Sequence, residues 1–310
     1  VVEFINASTG NYVQVIGDNY LYFMTLNKPG SSFQVYDNLT IKGNLSINAG
    51  ILNSSNKTIT IGGNWNNNVG TSAFAETTGK VIFNGSTDQW CTTEDFYILE
   101  MNKPFGLLYN TSYSTITCQI YDWVDGGLWI SPGNFTAYDL ADNGLYGTFA
   151  IYSGTMDLYQ DGSQFVDVNG NIIIGNGGNM NVYGGSSDSW WSIDGNTHIA
   201  MSGGTLDFKN AGIYVYNSPY FTFVEDITNG TIRTPGYFVV SNPGFTPSGG
   251  TVEMYGGNTV SLATNAGSSL NNLVINKSAT KDDPVVNSMN RDGKFEPGTR
   301  GNIVIMNGNV

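Results

Sequence analysis

The stretch NGNIIIGNGGNMNVYGGSSDSWWSIDGNTHIAMSGGTLDF, residues 169–208, decides how the rest of the chain is read. Glycine-rich corners alternate in it with short segments that carry an apolar residue at every second position. Ile172 and Ile174 share one face with Ile173 on the other, Met180 and Val182 alternate with Asn181 and Tyr183, and Leu206 and Phe208 flank Asp207. A side-chain period of two is that of a strand with one buried face. Glycine supplies the positive backbone torsions of tight corners. Short strands at steady spacing, without a helical period, predict stacked coils.

Three interlocking repeats extend this pattern along the chain. Apolar-x-apolar-Asn-Lys ends the segments at Asn27-Lys28, Asn102-Lys103 and Asn276-Lys277. Each follows a Val-x-apolar segment, Val2-Glu3-Phe4, Val81-Ile82-Phe83 and Val252-Glu253-Met254, with 25, 21 and 24 residues from Val to Asn. Gly-Asn-apolar-x-Ile occurs at Gly43, Gly170 and Gly301. A glycine followed by a polar–apolar alternation starts strands at Thr155, Asn179, Thr205, Thr231 and Thr251, spaced 24, 26, 26 and 20 residues apart. The predicted fold is all-β, a right-handed parallel β-helix whose coils of 20–26 residues each bury their apolar face only against neighbours. A β-sandwich array or a propeller is the alternative, because alternation alone does not separate parallel from antiparallel pairing. Residues 1–310 read as a single β-solenoid, expected to be a segment of a longer protein. Residues 112–159 read as coils with longer loops, and 279–300 as an irregular loop or insertion. Outward positions include Asn181, Asp207, Arg233 and Glu253.

The composition is that of a low-charge β protein: 40 glycines in 310 residues, 13% aromatic and 12% charged. Net charge is −13, and no Lys or Arg occurs between Lys103 and Lys209, an interval with ten Asp. Nucleic acid is therefore not expected as a partner, since phosphate binding needs clustered cations. No apolar run is long enough to span a membrane, and no signal-peptide pattern is present. Cys91 and Cys118 lie 27 residues apart, about one coil, so a disulfide between them is the candidate pairing, with two small buried side chains as the alternative.

Several segments, among them VIFNGSTDQWCTTEDFYILEMNK (81–103), VDVNGNIIIGNGGNMNVYGG (166–185) and NGTIRTPGYFVVSNPGFTPSGGTVEMYG (229–256), resemble the secreted repeat proteins of Bacteroidetes-type bacteria. Those large cell-surface or extracellular proteins are commonly cargo of a type IX secretion system. The resemblance covers most of the chain and carries no catalytic signature. It implies a β-helix outside the cell, in adhesion, gliding or matrix, with secretion or surface-anchoring machinery engaged through regions beyond this chain.

Catalytic motifs are sparse. A hydrolase triad needs a base beside its nucleophile. The only histidine, His198, stands in an alternating segment and reads as an outward strand residue. No Gly-x-Ser-x-Gly, Cys-x-x-Cys, zinc-type His pair or phosphate loop is present. Glycoside hydrolysis needs paired carboxylates, and Asp157, Asp167, Asp207 and Glu253 are the acids that stacking would align on one outer face. Trp190 and Trp191, with Asp188 and Asp194, are the candidate carbohydrate-binding residues, because exposed rings stack on sugars. The alternative is that the pair folds back over a coil edge. Tyr214, Tyr216, Tyr220 and Phe221 would extend such a strip. Calcium is the one inorganic ion considered, at Asn290 and Asp292 in SMNRDG, which lacks the first Asp and the closing Glu of an oxygen-ligand loop. Otherwise no cofactor is expected. Ten Asn-x-Ser/Thr sequons permit glycosylation without showing it. The expected function is non-enzymatic, a structural or adhesive surface segment touching extracellular polysaccharide or cell-surface components. A carbohydrate-binding module or polysaccharide-degrading enzyme is the alternative.

Overall fold

The computed structural model describes residues 2–5, 11–15, 17, 19–141, 144–160, 165–184, 189–193, 195–257, 260–265, 267–277, 286–288 and 303–307. The chain is all-β and coils as a parallel β-solenoid. Strand pairings among the described residues run parallel from coil to coil, which excludes the sandwich array. By internal contacts the chain divides into two compact units, Val1–Asp142 and Asn143–Val310.

In Val1–Asp142 a coil carries three short strands. One side stacks Val2–Ile5, Met24–Val35, Leu45–Asn53 and Trp65–Asn67, through Val2↔Met24, Met24↔Leu45 and Leu45↔Trp65. A second stacks Leu39–Ile41, Thr58–Ile61, Lys80–Phe83, Glu94–Asn102 and Ser114–Asp125. A third stacks Asn11–Val13 on the later halves of Met24–Val35 and Leu45–Asn53, and these on Phe74–Ala75. Met24, Leu45 and Trp65 repeat one inward position in successive coils and are fully buried. Trp65 lies edge-on to Phe74 and Phe96, at 4.8 and 5.3 Å between ring centres. Each such side chain contributes about 1.5–3 kcal/mol by leaving water, but only once the coils on either side are in place.

The sequence predicts longer loops over 112–159. Instead Ser114–Asp125, Gly127–Ile130, Gly133–Ala137 and Gly144–Tyr159 follow one another with short connections. The coils are tight here: Leu108↔Leu128 and Ser114↔Gly133 close in 20 and 19 residues. Polar and aromatic side chains sit at outward strand positions, which loosens the apolar alternation without lengthening the corners.

In Asn143–Val310 the glycine-led repeat is the register itself. Thr155 pairs with Asn179, Asn179 with Thr205, Thr205 with Thr231 and Thr231 with Thr251. The next residues, Met156, Met180, Leu206, Ile232 and Val252, all point inward and are buried. Gly154, Gly204, Gly230 and Gly250, each just before the Thr of the repeat, have φ of 108°, 68°, 98° and 77°. A Cβ at Gly204 would strike the carbonyl oxygens of Gly178 and Gly175. Glycine is needed there both for the torsion and for the close approach of successive coils.

The Val-x-apolar segments also stack on the apolar-x-apolar-Asn-Lys segments one coil on, through Val2↔Met24, Val81↔Leu99 and Val252↔Leu273. The Gly-Asn-apolar-x-Ile set does not mark a single column. Ile172 stacks between Phe149 and Ile199, whereas Ile303 stacks on Leu273. That motif encodes a corner and a strand start, and a solenoid has such corners on more than one side. Of residues 279–300, Val286–Ser288 forms a strand beside Val260–Thr264, and the rest lies outside the described residues.

Candidate functional site

The densest polar constellation lies on an outward column of the Asn143–Val310 unit. Asp157, Asn181, Asp207, Arg233 and Glu253 occupy one position in five successive coils. Two residues on in each strand runs a second outward column that includes Tyr159, Tyr183, Lys209 and Tyr255. Three of the four acids expected to align do so. Asp167 does not, because it pairs with Gly144 and Ser192 in a different column.

Asp207 is the hub and is 1% exposed. Its Oδ2 accepts from Lys209 Nζ at 2.8 Å and Arg233 Nη1 at 2.9 Å, and its Oδ1 from the Tyr255 hydroxyl at 2.8 Å. Arg233 also donates through Nε to Glu253 Oε2 at 2.8 Å and lies over the Tyr255 ring at 4.7 Å. Asn276 donates to Glu253 Oε1, and Asn181 to Asp157 Oδ1. Burial raises the Glu253 pKa, but the bonds from Arg233 and Asn276 outweigh it and hold this carboxyl below its usual value. Burial, reinforced by its bond to Asp207, pushes the Tyr255 hydroxyl up. The charges of the column are thus engaged within the column, by Lys209 in the same coil and by Arg233, Glu253 and Tyr255 in the following ones. Chemically the column is a ladder of cross-coil ties, with Arg233 bridging two carboxylates.

The Val1–Asp142 unit carries a smaller ladder. Glu100 and Asp122 are register partners, and Lys80 Nζ donates to both at 2.7 and 3.0 Å. Burial disfavours the Lys80 charge, and the two carboxylates more than offset it. On another side Trp90, Tyr109 and Trp129 follow one another in register. Their ring centres are 5.6 and 5.7 Å apart, and Trp90 is 42% exposed. This aromatic column was missed in the sequence because its spacing, 19 and 20 residues, becomes a signal only when the local coil length is known.

Two buried devices carry no signal in the sequence. The lysines of the Asn-Lys repeats are interior: Lys28, Lys103 and Lys277 are all buried. Lys103 Nζ donates to the carbonyls of Gly85 and Thr87 and to Gln89 Oε1, at 3.0, 2.7 and 2.7 Å. Lys277 Nζ donates to the carbonyls of Pro235 and Tyr255, and Lys28 Nζ to Asn11 Oδ1. Burial pushes Lys103 and Lys277 down to about 8, with Asp88 opposing the shift at Lys103. Glu94 is fully buried and accepts from Trp65 Nε1 and Asn67 Nδ2, both at 2.8 Å. Burial raises its pKa to about 8 despite those donors.

The residues singled out from sequence fall as follows. Trp191 is fully buried, edge-on to Phe208 at 5.8 Å. It is a core residue and offers no face to a sugar, a correction that follows from its inward strand position. The Trp190 side chain, Asp188 and Asp194 lie outside the described residues, as do Asn290 and Asp292. Cys91 and Cys118 are buried free thiols, not a disulfide. Cys91 stacks between Trp65 and Asn110, and Cys118 between Phe96 and Ala137. The coil above Cys91 is short, so a 27-residue step overshoots to a different side. His198 faces outward as expected and hydrogen-bonds Asp226 Oδ2 at 2.8 Å. Tyr214 and Tyr216 rings sit 3.9 Å apart, and Tyr220 is 85% exposed. A cavity of about 70 Å³ beside Tyr214 and Ser241 is far below the roughly 300 Å³ of small-molecule sites. Among the described residues no group of three or more His, Cys, Asp or Glu gathers to hold a metal, and no helix is long and apolar enough to cross a membrane.

No family model, curated protein or solved structure matches the chain.

Proposed function

We propose that this chain is a non-enzymatic structural and adhesive segment of a large extracellular or cell-surface bacterial protein. The observation that carries the reading is the commitment of Asp207. Its two oxygens are engaged by Lys209, Arg233 and Tyr255 and it is 1% exposed, so this acid of the aligned column serves to tie strands together rather than to meet a substrate. The same economy recurs at Lys80, Glu100 and Asp122. Corner asparagines add to it: Asn44 Oδ1 accepts from the Asn64 amide, and Asn64 Oδ1 from the Trp90 amide. A chain built this way resists being pulled apart and presents repeated weak contacts, which act together through effective concentration. Its partners would be extracellular polysaccharide or cell-surface components, and its anchoring would come from regions outside this chain.

A second reading, a carbohydrate-binding module, is favoured by the Trp90–Tyr109–Trp129 column, where aromatic surface reaches solvent on successive coils. One experiment addresses both. The chain is incubated with a panel of polysaccharides, and retention and new reducing ends are measured together. The structural and adhesive reading expects no reducing ends and weak retention spread over several polymers. Reducing ends that vanish in Asp207→Asn would overturn it in favour of an enzyme. Tight retention of one polymer, lost in Trp90→Ala, would establish the binding module instead.

A further inference from the structure

Tyr159 and Tyr183 are register partners on the outward side of two successive coils, at the ends of the paired strands Gly144–Tyr159 and Phe165–Tyr183. Their rings lie face to face, 4.1 Å between centres and 6° from parallel. Both side chains are half-buried, so their edges reach solvent. Other close tyrosine pairs among the described residues differ. Tyr214 and Tyr216 are tilted by 32° and stand two residues apart in one segment, Tyr20 and Tyr22 meet edge-on, and Tyr12 and Tyr36 are 5.8 Å apart.

We propose that Tyr159 and Tyr183 form a site of oxidative cross-linking, at which a peroxidase-type one-electron oxidant drawing on peroxide joins the two coils through a dityrosine bond. Each phenol gives up one electron and its hydroxyl proton, leaving two phenoxyl radicals in contact. A carbon–carbon bond then forms between ring positions ortho to the oxygens. Each ring regains aromaticity as the hydrogen on its coupling carbon is lost and its oxygen is reprotonated. Two hydrogens leave in all, and one peroxide is reduced to two waters. The register does the work that collision would otherwise have to do, because partners held in contact react as if at very high local concentration. Both phenols are required. The product would tie two coils covalently at a point where the solenoid otherwise relies on hydrogen bonds and packing. It would also restrict the unfolded chain by closing the loop between the two strands.

The inference is independent of the adhesive reading and is tested on the isolated chain. Dilute protein is treated with horseradish peroxidase and hydrogen peroxide, digested, and mapped by mass spectrometry alongside dityrosine fluorescence. The expected result is a peptide pair joined through Tyr159 and Tyr183, lighter by two hydrogens, in material that still runs as a monomer. Its urea midpoint should rise above that of untreated protein. Tyr183→Phe keeps the ring and the stack but removes one phenol, and should lose this product while folding normally by circular dichroism. Tyr159→Phe should do the same. The proposal is overturned by an absence of dityrosine, by cross-links confined to exposed residues such as Tyr220 and Tyr113 or to pairs of molecules, or by undiminished intramolecular product in either variant.

Discussion

Single residues in this protein show how a solenoid handles charge. Asp207 and Glu94 are both buried carboxyl groups, but they are treated oppositely. Asp207 is surrounded by two cations and a hydroxyl. Replacing it with Asn leaves Lys209 and Arg233, each about a third exposed, facing a neutral amide, and should cost on the order of 1–3 kcal/mol, read as a lowered urea midpoint. Glu94 has neutral donors only, and burial raises it to about 8 from an ordinary value of 4.5. The unfolded chain releases this proton as pH passes 4.5, while the folded chain keeps it until about 8. The folded state therefore loses stability as pH rises through that window. Glu94→Gln retains an acceptor for Trp65 and Asn67, so the variant should match the parent near pH 4 and exceed it at pH 8. Parallel urea midpoints for the two proteins across that range would refute the assignment. Lys103 and Lys277 follow the reverse rule. Their depressed values make burial costly below about 8, and that cost recedes as pH rises toward 10.5.

At the level of elements, the unit is a strand and the glycine corner it carries. The strand Thr197–Phe208 pairs with Phe165–Tyr183 on one side and Phe223–Thr234 on the other. Its corner at Gly204 combines a left-handed torsion with contact on the coil below. Gly204→Ala should destabilise the fold by about 2 kcal/mol or more, since the added methyl is strained in torsion and also meets backbone that cannot turn aside. An unchanged thermal or urea midpoint would show that the corner is looser than its geometry indicates. Gly70, with positive φ but nothing near its would-be Cβ, is the comparison, and alanine there should cost less. The buried lysines belong to this scale as well. Each follows the Asn of its segment and reaches carbonyl oxygens or an amide oxygen on another segment, tying two segments through a buried cation.

Over the whole chain, net charge and low cation content shape what can approach it. With a charge of −13, the protein should not retain duplex DNA at physiological ionic strength. Any retention on a cationic matrix should fall steeply as salt rises, because exposed charges are screened over about 8 Å at 0.15 M. Salt-resistant DNA binding in a mobility-shift assay would contradict this. Many tyrosine and other aromatic side chains remain on the surface, including Tyr12, Tyr36, Phe105, Tyr113 and Tyr220. Among the described residues the exposed aromatic side chains are thus spread along the chain, as expected of a solenoid that repeats one coil design.

The repeating sequence by itself determined the strands, the inward faces and, from Thr155 to Thr251, the register, because a parallel solenoid puts each residue beside its equivalent one coil on. It also determined that Asp157, Asp207 and Glu253 would share an outer column. Only the tertiary structure decided what depends on local coil length or on neighbours in space. The 19- and 20-residue coils align Trp90, Tyr109 and Trp129 and keep Cys91 from Cys118. Strand phase sends Trp191 into the core. Lys103 looks like any exposed cation until the carbonyls of Gly85 and Thr87 are placed around it. Alternation is written residue by residue along one strand, whereas these contacts join positions whose separation changes with every corner.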